Sequence, residues 1–230
     1  MTNNPIYCAI DTSDIDKAIS LIGQIFPFIG GIKLGLEFFT SCGLVGLERV
    51  KKLQLPIFID LKLYDIPNTV KQSLSNILEF EPAYTTLHLS GGSEMLSQCV
   101  KLKKNLNSKT KLIGVTMLTS FNDTSISEVG IEKSVKENVQ GLTKLAINCG
   151  IDGIVCSPQE IFQIKKDHGS KLQIITPGIR NKENSSHDQK RTLSAKDAID
   201  AGADIIVVGR PITEAKDPVK AAENIYSEIT

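Results

Sequence analysis

Residues 57–70 read Ile57-Phe58-Ile59-Asp60-Leu61-Lys62-Leu63-Tyr64-Asp65-Ile66-Pro67-Asn68-Thr69-Val70, and the fold is decided by how this stretch continues. Ile57–Leu63 is a short, β-rich apolar run, whereas Val70–Phe80 carries Val70, Leu74, Ile77 and Leu78 at helical spacing. The same change of period recurs in both directions. Strands are expected at Ile6–Ile10, Gly31–Leu34, Tyr84–Leu89, Leu112–Leu118, Gly153–Cys156, Leu172–Thr176 and Ile205–Val208. Helix-patterned segments separate them, such as Asp14–Phe26 with Ile15, Ala18, Ile19, Ile22 and Phe26 on one face. Strand and helix in alternation imply parallel pairing. About eight such units in 230 residues, with no linker-like change of composition, predict an α/β fold: a single-domain (β/α)8 TIM barrel over residues 1–230. A doubly wound open sheet alternates similarly and is the competing architecture.

Composition narrows the function. With 41% hydrophobic and 23% charged residues the chain can build a core and is neither fibrous nor disordered. Lys+Arg and Asp+Glu both number 26, so there is no overall footprint for nucleic acid or anionic lipid, and any bound anion must be held locally. Five cysteines, an odd number without a C-x-x-C pair, argue against a disulfide framework and a zinc knuckle and point to a reducing compartment. The start Met1-Thr2-Asn3-Asn4-Pro5 lacks the marks of a signal peptide, and no apolar run reaches the ~18 residues of a membrane span. A soluble, cytoplasmic chain is expected.

Side chains on a strand repeat every two residues, so Asp60 and Lys62 share a face, with Ile59 and Leu61 turned to the outer helices. The same parity turns Ala9 and Asp11 inward on the first strand, and Gly31, Lys33 and Gly35 on the second. Asp11, Lys33, Asp60 and Lys62 thus converge at one rim, at the strand ends where barrel active sites lie. One such pair would read as a structural ion pair; four alternating charges favour a site. Thr176-Pro177-Gly178-Ile179-Arg180 and Val208-Gly209-Arg210-Pro211 end the seventh and eighth strands, where barrels often bind phosphate. Pro211 suits a first helical position. The polar stretch Asn181–Arg191 is long for a βα loop and could serve as a lid or as a plain connection.

Other features carry less. His88, His168 and His187 lack ligand spacing, so packed or solvated histidines are expected. Lys101, Lys103, Lys104, Lys109 and Lys111 lack interleaved aromatics and read as a solvated helix end and loop. No Walker A, G-x-G-x-x-G, H-E-x-x-H or G-x-S-x-G pattern is present, which removes the usual supports for nucleotide hydrolysis, hydride transfer and serine-hydrolase chemistry.

Asp60-Leu61-Lys62-Leu63-Tyr64-Asp65-Ile66-Pro67-Asn68-Thr69 closely resembles the D-x-K-x-x-D-I-P-N-T signature of the orotidine 5′-phosphate decarboxylases. The resemblance continues, in order along the chain, at Ala9-Ile10-Asp11, Ile32-Lys33-Leu34-Gly35, His88 with Gly91-Gly92, Leu118-Thr119-Ser120, Pro177–Arg180, Gln189 and Val208–Pro211. It implies a cofactor-free, metal-free decarboxylase that forms uridine 5′-phosphate in pyrimidine biosynthesis, working as a homodimer with shared active sites. By that resemblance Lys62 protonates C6 of the pyrimidine, Asp60 holds it, and Asp65 reaches in from the partner subunit. Asp11 and Lys33 would contact the ribose with the partner's Thr69, and Ile66 would join the substrate contacts. Thr119-Ser120 would meet the pyrimidine edge through either residue. Pro177, Arg180, Gln189, Gly209 and Arg210 would surround the phosphate, with Asn181–Arg191 closing over it. Magnesium-dependent sugar-phosphate decarboxylases and aldolases share D-x-K-x-x-D, but they carry an acidic metal ligand where this chain has Lys33 and lack Ile66–Thr69. A non-catalytic phosphate-binding barrel would need the Arg210 region but not the Asp60–Lys62–Asp65 constellation.

Overall fold

The computed structural model describes residues 4–180 and 193–230. Eight parallel strands close in sequence order: β1 (Ile6–Ala9), β2 (Gly31–Leu34), β3 (Ile57–Leu63), β4 (Tyr84–His88), β5 (Lys111–Val115), β6 (Gly153–Val155), β7 (Gln173–Thr176) and β8 (Ile205–Val208). β8 pairs with β1, so the open-sheet alternative is ruled out. Ten α-helices among the described residues surround the strands: α1 (Ile15–Ile25), α2 (Leu36–Lys51), α3 (Pro67–Leu78), α4 (Gly92–Asn105), α5 (Asp123–Ser127), α6 (Val135–Cys149), α7 (Ile161–His168), α8 (Ala195–Asp200), α9 (Arg210–Thr213) and α10 (Pro218–Ile229). No helix is long and apolar enough to cross a membrane among those residues. None of the five cysteines is in a disulfide.

Elements end where local chemistry dictates. Asp14, inside the predicted first helix, is its N-cap, its side chain accepting from the Asp16 and Lys17 amides. α3 begins earlier than its apolar period, because Pro67 needs no backbone donor in the first turn. β5 stops at Val115, short of the predicted Leu118, and the chain turns at Thr119-Ser120.

Two apolar populations follow from strand parity. Tyr7, Phe58, Ile113, Ile175 and Ile205 fill the barrel interior, joined by Tyr84, Val155 and Val207. Tyr84 meets Tyr7 and Phe58 edge-on, at ring separations of 5.6 and 5.8 Å. Ile6, Ile32, Ile59, Leu87, Ile154, Ile174 and Ile206 face the helices and belong to the main core. Each strand is therefore buried on both sides.

The end of the barrel where strands begin is held by charge. Asp152, just before β6, accepts the Leu112 amide at 2.7 Å and is bridged by Lys103 at 2.7 Å. Asp204, just before β8, does the same with the Ile174 amide at 2.7 Å and Lys165 at 3.1 Å. Each aspartate follows a glycine that ends the preceding helix with positive φ, Gly150 at 75° and Gly202 at 107°. The expectation for the basic cluster is corrected at one member: Lys103 is pinned to Asp152, while exposed Lys111 donates to Gln173 at 3.0 Å. Lys103 is thus held in a partly buried ion pair, whereas Lys111 stays exposed as expected while making its contact.

Candidate active site at the barrel mouth

Where the strands end, a cleft of about 440 Å³ opens over the interior layer. Phe58, Val155, Ile175 and Val207 form its floor, and Asp11, Lys33, Asp60, Lys62, Thr119, Arg180 and Arg210 are among the residues around it. A second cleft of about 500 Å³ lies among the flanking helices, lined by residues such as Phe121, Val139 and Phe162. The mouth, in contrast, brings together two ion pairs over an apolar floor, so the chemistry is assigned to the mouth.

The four charges meet as the parity argument expects, in two pairs. Lys33 Nζ lies 2.8 Å from Asp11 Oδ1, its side chain nearly buried. Gly35 makes room for that pair, since a Cβ there would fall 2.8 Å from Lys33 Nζ and 3.1 Å from Asp11 Oδ1. Lys62 Nζ lies 2.8 Å from Asp60 Oδ2, and Asp60 is the more buried of the two.

The route by which Asp60 and Lys62 meet differs from regular alternation. β3 matches β4 at Ile59↔Thr85 and next at Leu63↔Leu87, so the intervening segment bulges out of the ladder. Lys62 adopts φ of 51°, a left-handed conformation rare for a residue with a Cβ. Its amide donates to Thr86 Oγ1 at 2.8 Å, and that hydroxyl donates to Asp60 Oδ1 at 3.0 Å. Thr86 is a residue the sequence reading missed. Its position in the middle of β4, facing inward beside the charged rim, was the available signal.

His88 ends β4 with its ring stacked on Tyr64 at 5.3 Å. Nδ1 accepts the Ser90 amide at 3.4 Å, so it is a packed histidine as expected. Burial, and secondarily the Lys62 charge, hold its imidazole below the ordinary 6.5. An unfolded chain therefore takes up a proton where the folded one stays neutral. This contribution to stability is present above pH 6.5 and is lost as pH falls below it. His88→Asn should consequently show a smaller drop in thermal midpoint than the wild type between about pH 7.5 and about pH 5.5. Equal drops would show that His88 does not link stability to pH.

At the far strands, Pro177, Gly178 and Arg180 follow β7, while Gly209 and Arg210 follow β8. Gly209 is the N-cap of α9, with Pro211 in its first turn. Arg180 donates through Nη1 to the Ile179 carbonyl at 3.0 Å, and its amide donates to Leu193 O at 3.0 Å. Not every expected residue borders this cleft. Asp65, Ile66, Thr69 and Ser120 are exposed and do not line it. Asp65 turns back to accept the Ile66 amide at 2.6 Å. Gln189 and the whole stretch 181–191 lie outside the described residues, as does His187.

A model of the orotidine 5′-phosphate decarboxylase / HUMPS family matches residues 4–225. The chain belongs to that family. An orotidine 5′-phosphate decarboxylase of Wolbachia pipientis is 46% identical over 228 residues, covering 99% of both chains. One of Ehrlichia canis is 44% identical, covering 98% of both. Among solved structures, orotidine 5′-phosphate decarboxylase from Lactobacillus acidophilus superposes with a TM-score of 0.84 at 32% identity, covering 99% of each chain. The fold is thus that of a solved member of the family as well.

Proposed function

We propose that the chain decarboxylates orotidine 5′-phosphate to uridine 5′-phosphate and carbon dioxide, without metal or cofactor, as a step of pyrimidine biosynthesis. The observation that carries this reading is the Asp60–Lys62 pair at 2.8 Å, set above an apolar floor in the same cleft as Arg180 and Arg210. When the C6–carboxylate bond breaks, its electron pair stays on C6 in an orbital the ring cannot delocalise. Such charge has to be met by fixed positive charge from the protein. Lys62 supplies it and then gives a proton from Nζ to C6, taking one back from solvent. Asp60 holds the ammonium in place on one side, and the partner subunit's Asp65 would hold it on the other. Lys33 and Asp11 bind the ribose, and Thr119-Ser120 the pyrimidine edge. Pro177, Arg180, Gln189, Gly209 and Arg210 surround the phosphate.

Shared sites require a dimer, and the distribution of exposed apolar residues supports one. Of nine large apolar residues exposed among the described residues, Leu36, Leu44, Val45, Tyr64 and Ile66 fall on α2 or the segment from β3 to α3. Phe26, Leu106, Val129 and Phe162 are exposed singly elsewhere, whereas these five cluster on neighbouring segments, as an association face does.

The direct test follows absorbance as orotidine 5′-phosphate is consumed, with and without a chelator. Turnover unaffected by the chelator is expected; strict dependence on added magnesium would move the chain to the sugar-phosphate branch. The phosphate assignment has its own test. Arg210→Ala should lower kcat/KM for the phosphorylated substrate roughly 10- to 100-fold, the loss of one charge-assisted contact, and leave the phosphate-free nucleoside unchanged. Equal losses on both substrates would place Arg210 elsewhere in the reaction.

A further inference from the structure

We infer that Thr86 is a positioning residue for this chemistry, an inference that rests on the proposed decarboxylation. Its hydroxyl links the irregular backbone of β3 to the carboxylate that orients the ammonium. Lys62 has left the ladder, so its amide has no strand partner, and the Thr86 hydroxyl accepts it at 2.8 Å. The proton of the same hydroxyl is thereby directed to Asp60 Oδ1 at 3.0 Å, leaving Oδ2 for Lys62 Nζ at 2.8 Å. Backbone, hydroxyl, carboxylate and ammonium form one closed ring of hydrogen bonds, with the ammonium as the member that faces the cleft.

Three properties suit Thr86 to this. It is fully buried, so water does not compete for its hydroxyl. It lies in regular β4, paired with Ile113, which fixes its backbone. Its branched Cβ restricts χ1, so the hydroxyl is aimed before substrate arrives. A left-handed lysine persists only where its surroundings hold it there. Thr86 supplies the bond that does so, and it simultaneously settles which carboxylate oxygen the ammonium takes. A residue acting this way changes the placement of Nζ relative to the reacting carbon and leaves ribose and phosphate binding alone.

The test compares Thr86→Val, which keeps the shape and removes the hydroxyl, with Thr86→Ala and Thr86→Ser. Valine and alanine should lower kcat roughly 10- to 100-fold, the usual range for misplacing a reacting group, with KM within about threefold of wild type. Serine should stay within about threefold of wild type in both constants. If valine fails to fold, alanine and serine make the same comparison. Amide exchange at Lys62, followed by NMR, reads the bond without reference to activity. It should be slow in the wild type and in Thr86→Ser and at least about tenfold faster in the hydroxyl-free variants. A serine variant as slow as alanine in turnover, a hydroxyl-free variant with wild-type kcat, or unchanged exchange at Lys62 would each overturn the inference. Absence of decarboxylation in the wild type would instead overturn the proposed function, while the exchange measurement would still report on Thr86.

Discussion

Lys62→Ala is expected to lower kcat/KM for orotidine 5′-phosphate by at least about a thousandfold, roughly 4 kcal/mol of lost transition-state stabilisation. Coulomb's law sets the scale, since unit charges ~4 Å apart interact by ~4 kcal/mol at an effective dielectric of 20. The fold should survive, because the lysine side chain borders the cleft and about a third of it is exposed. Its removal also frees Asp60, which keeps the hydrogen bond from Thr86. Circular dichroism and the thermal midpoint would check the fold, and steady-state kinetics the loss. A folded variant retaining a tenth of wild-type kcat/KM would remove Lys62 from the chemistry.

Mixing two inactive variants should restore activity, the second large effect. Asp65 is exposed and does not line the cleft of its own chain, although it follows Lys62 closely in sequence. If it serves the neighbouring site, Lys62→Ala and Asp65→Ala homodimers are both nearly inactive. A mixed dimer then has one site carrying both lesions and one carrying neither. Random pairing makes about half of all dimers mixed, with half their sites intact, so roughly a quarter of wild-type activity should return after joint refolding under two-fold symmetry. Verified mixed dimers that stay inactive would assign Asp65 to its own chain.

The barrel was legible because burying strands on both faces and helices on one writes two different periods into the sequence. The rim charges were legible as a cluster for the same reason, since alternation points Asp11, Lys33 and Asp60 to one rim, although Lys62 reaches it by a different backbone route. What alternation could not reveal was the bulge at Lys62. The run Ile57–Leu63 reads as an unbroken strand, and nothing in residue type marks a lysine with φ of 51°. Thr86 was missed along with it, because a threonine in a strand is ordinary until its partner has left the ladder. The role of Lys103 was hidden differently. Its aspartate lies far along the chain, and composition sees only neighbours.

The two ends of this barrel are made from different materials. Asp152 and Asp204, with their lysines, lock the starts of the strands, whereas the ion pairs of the mouth leave their ammonium groups at the edge of a cleft. Twice the chain uses the same short device, glycine, apolar residue, aspartate, strand, at Gly150–Gly153 and Gly202–Ile205. Because this device touches only backbone amides and lysines remote from the cleft, selection can adjust the two ends separately. Tolerance to heat can drift at one while substrate choice is remodelled at the other, so a lineage can change what it decarboxylates without rebuilding what keeps it folded.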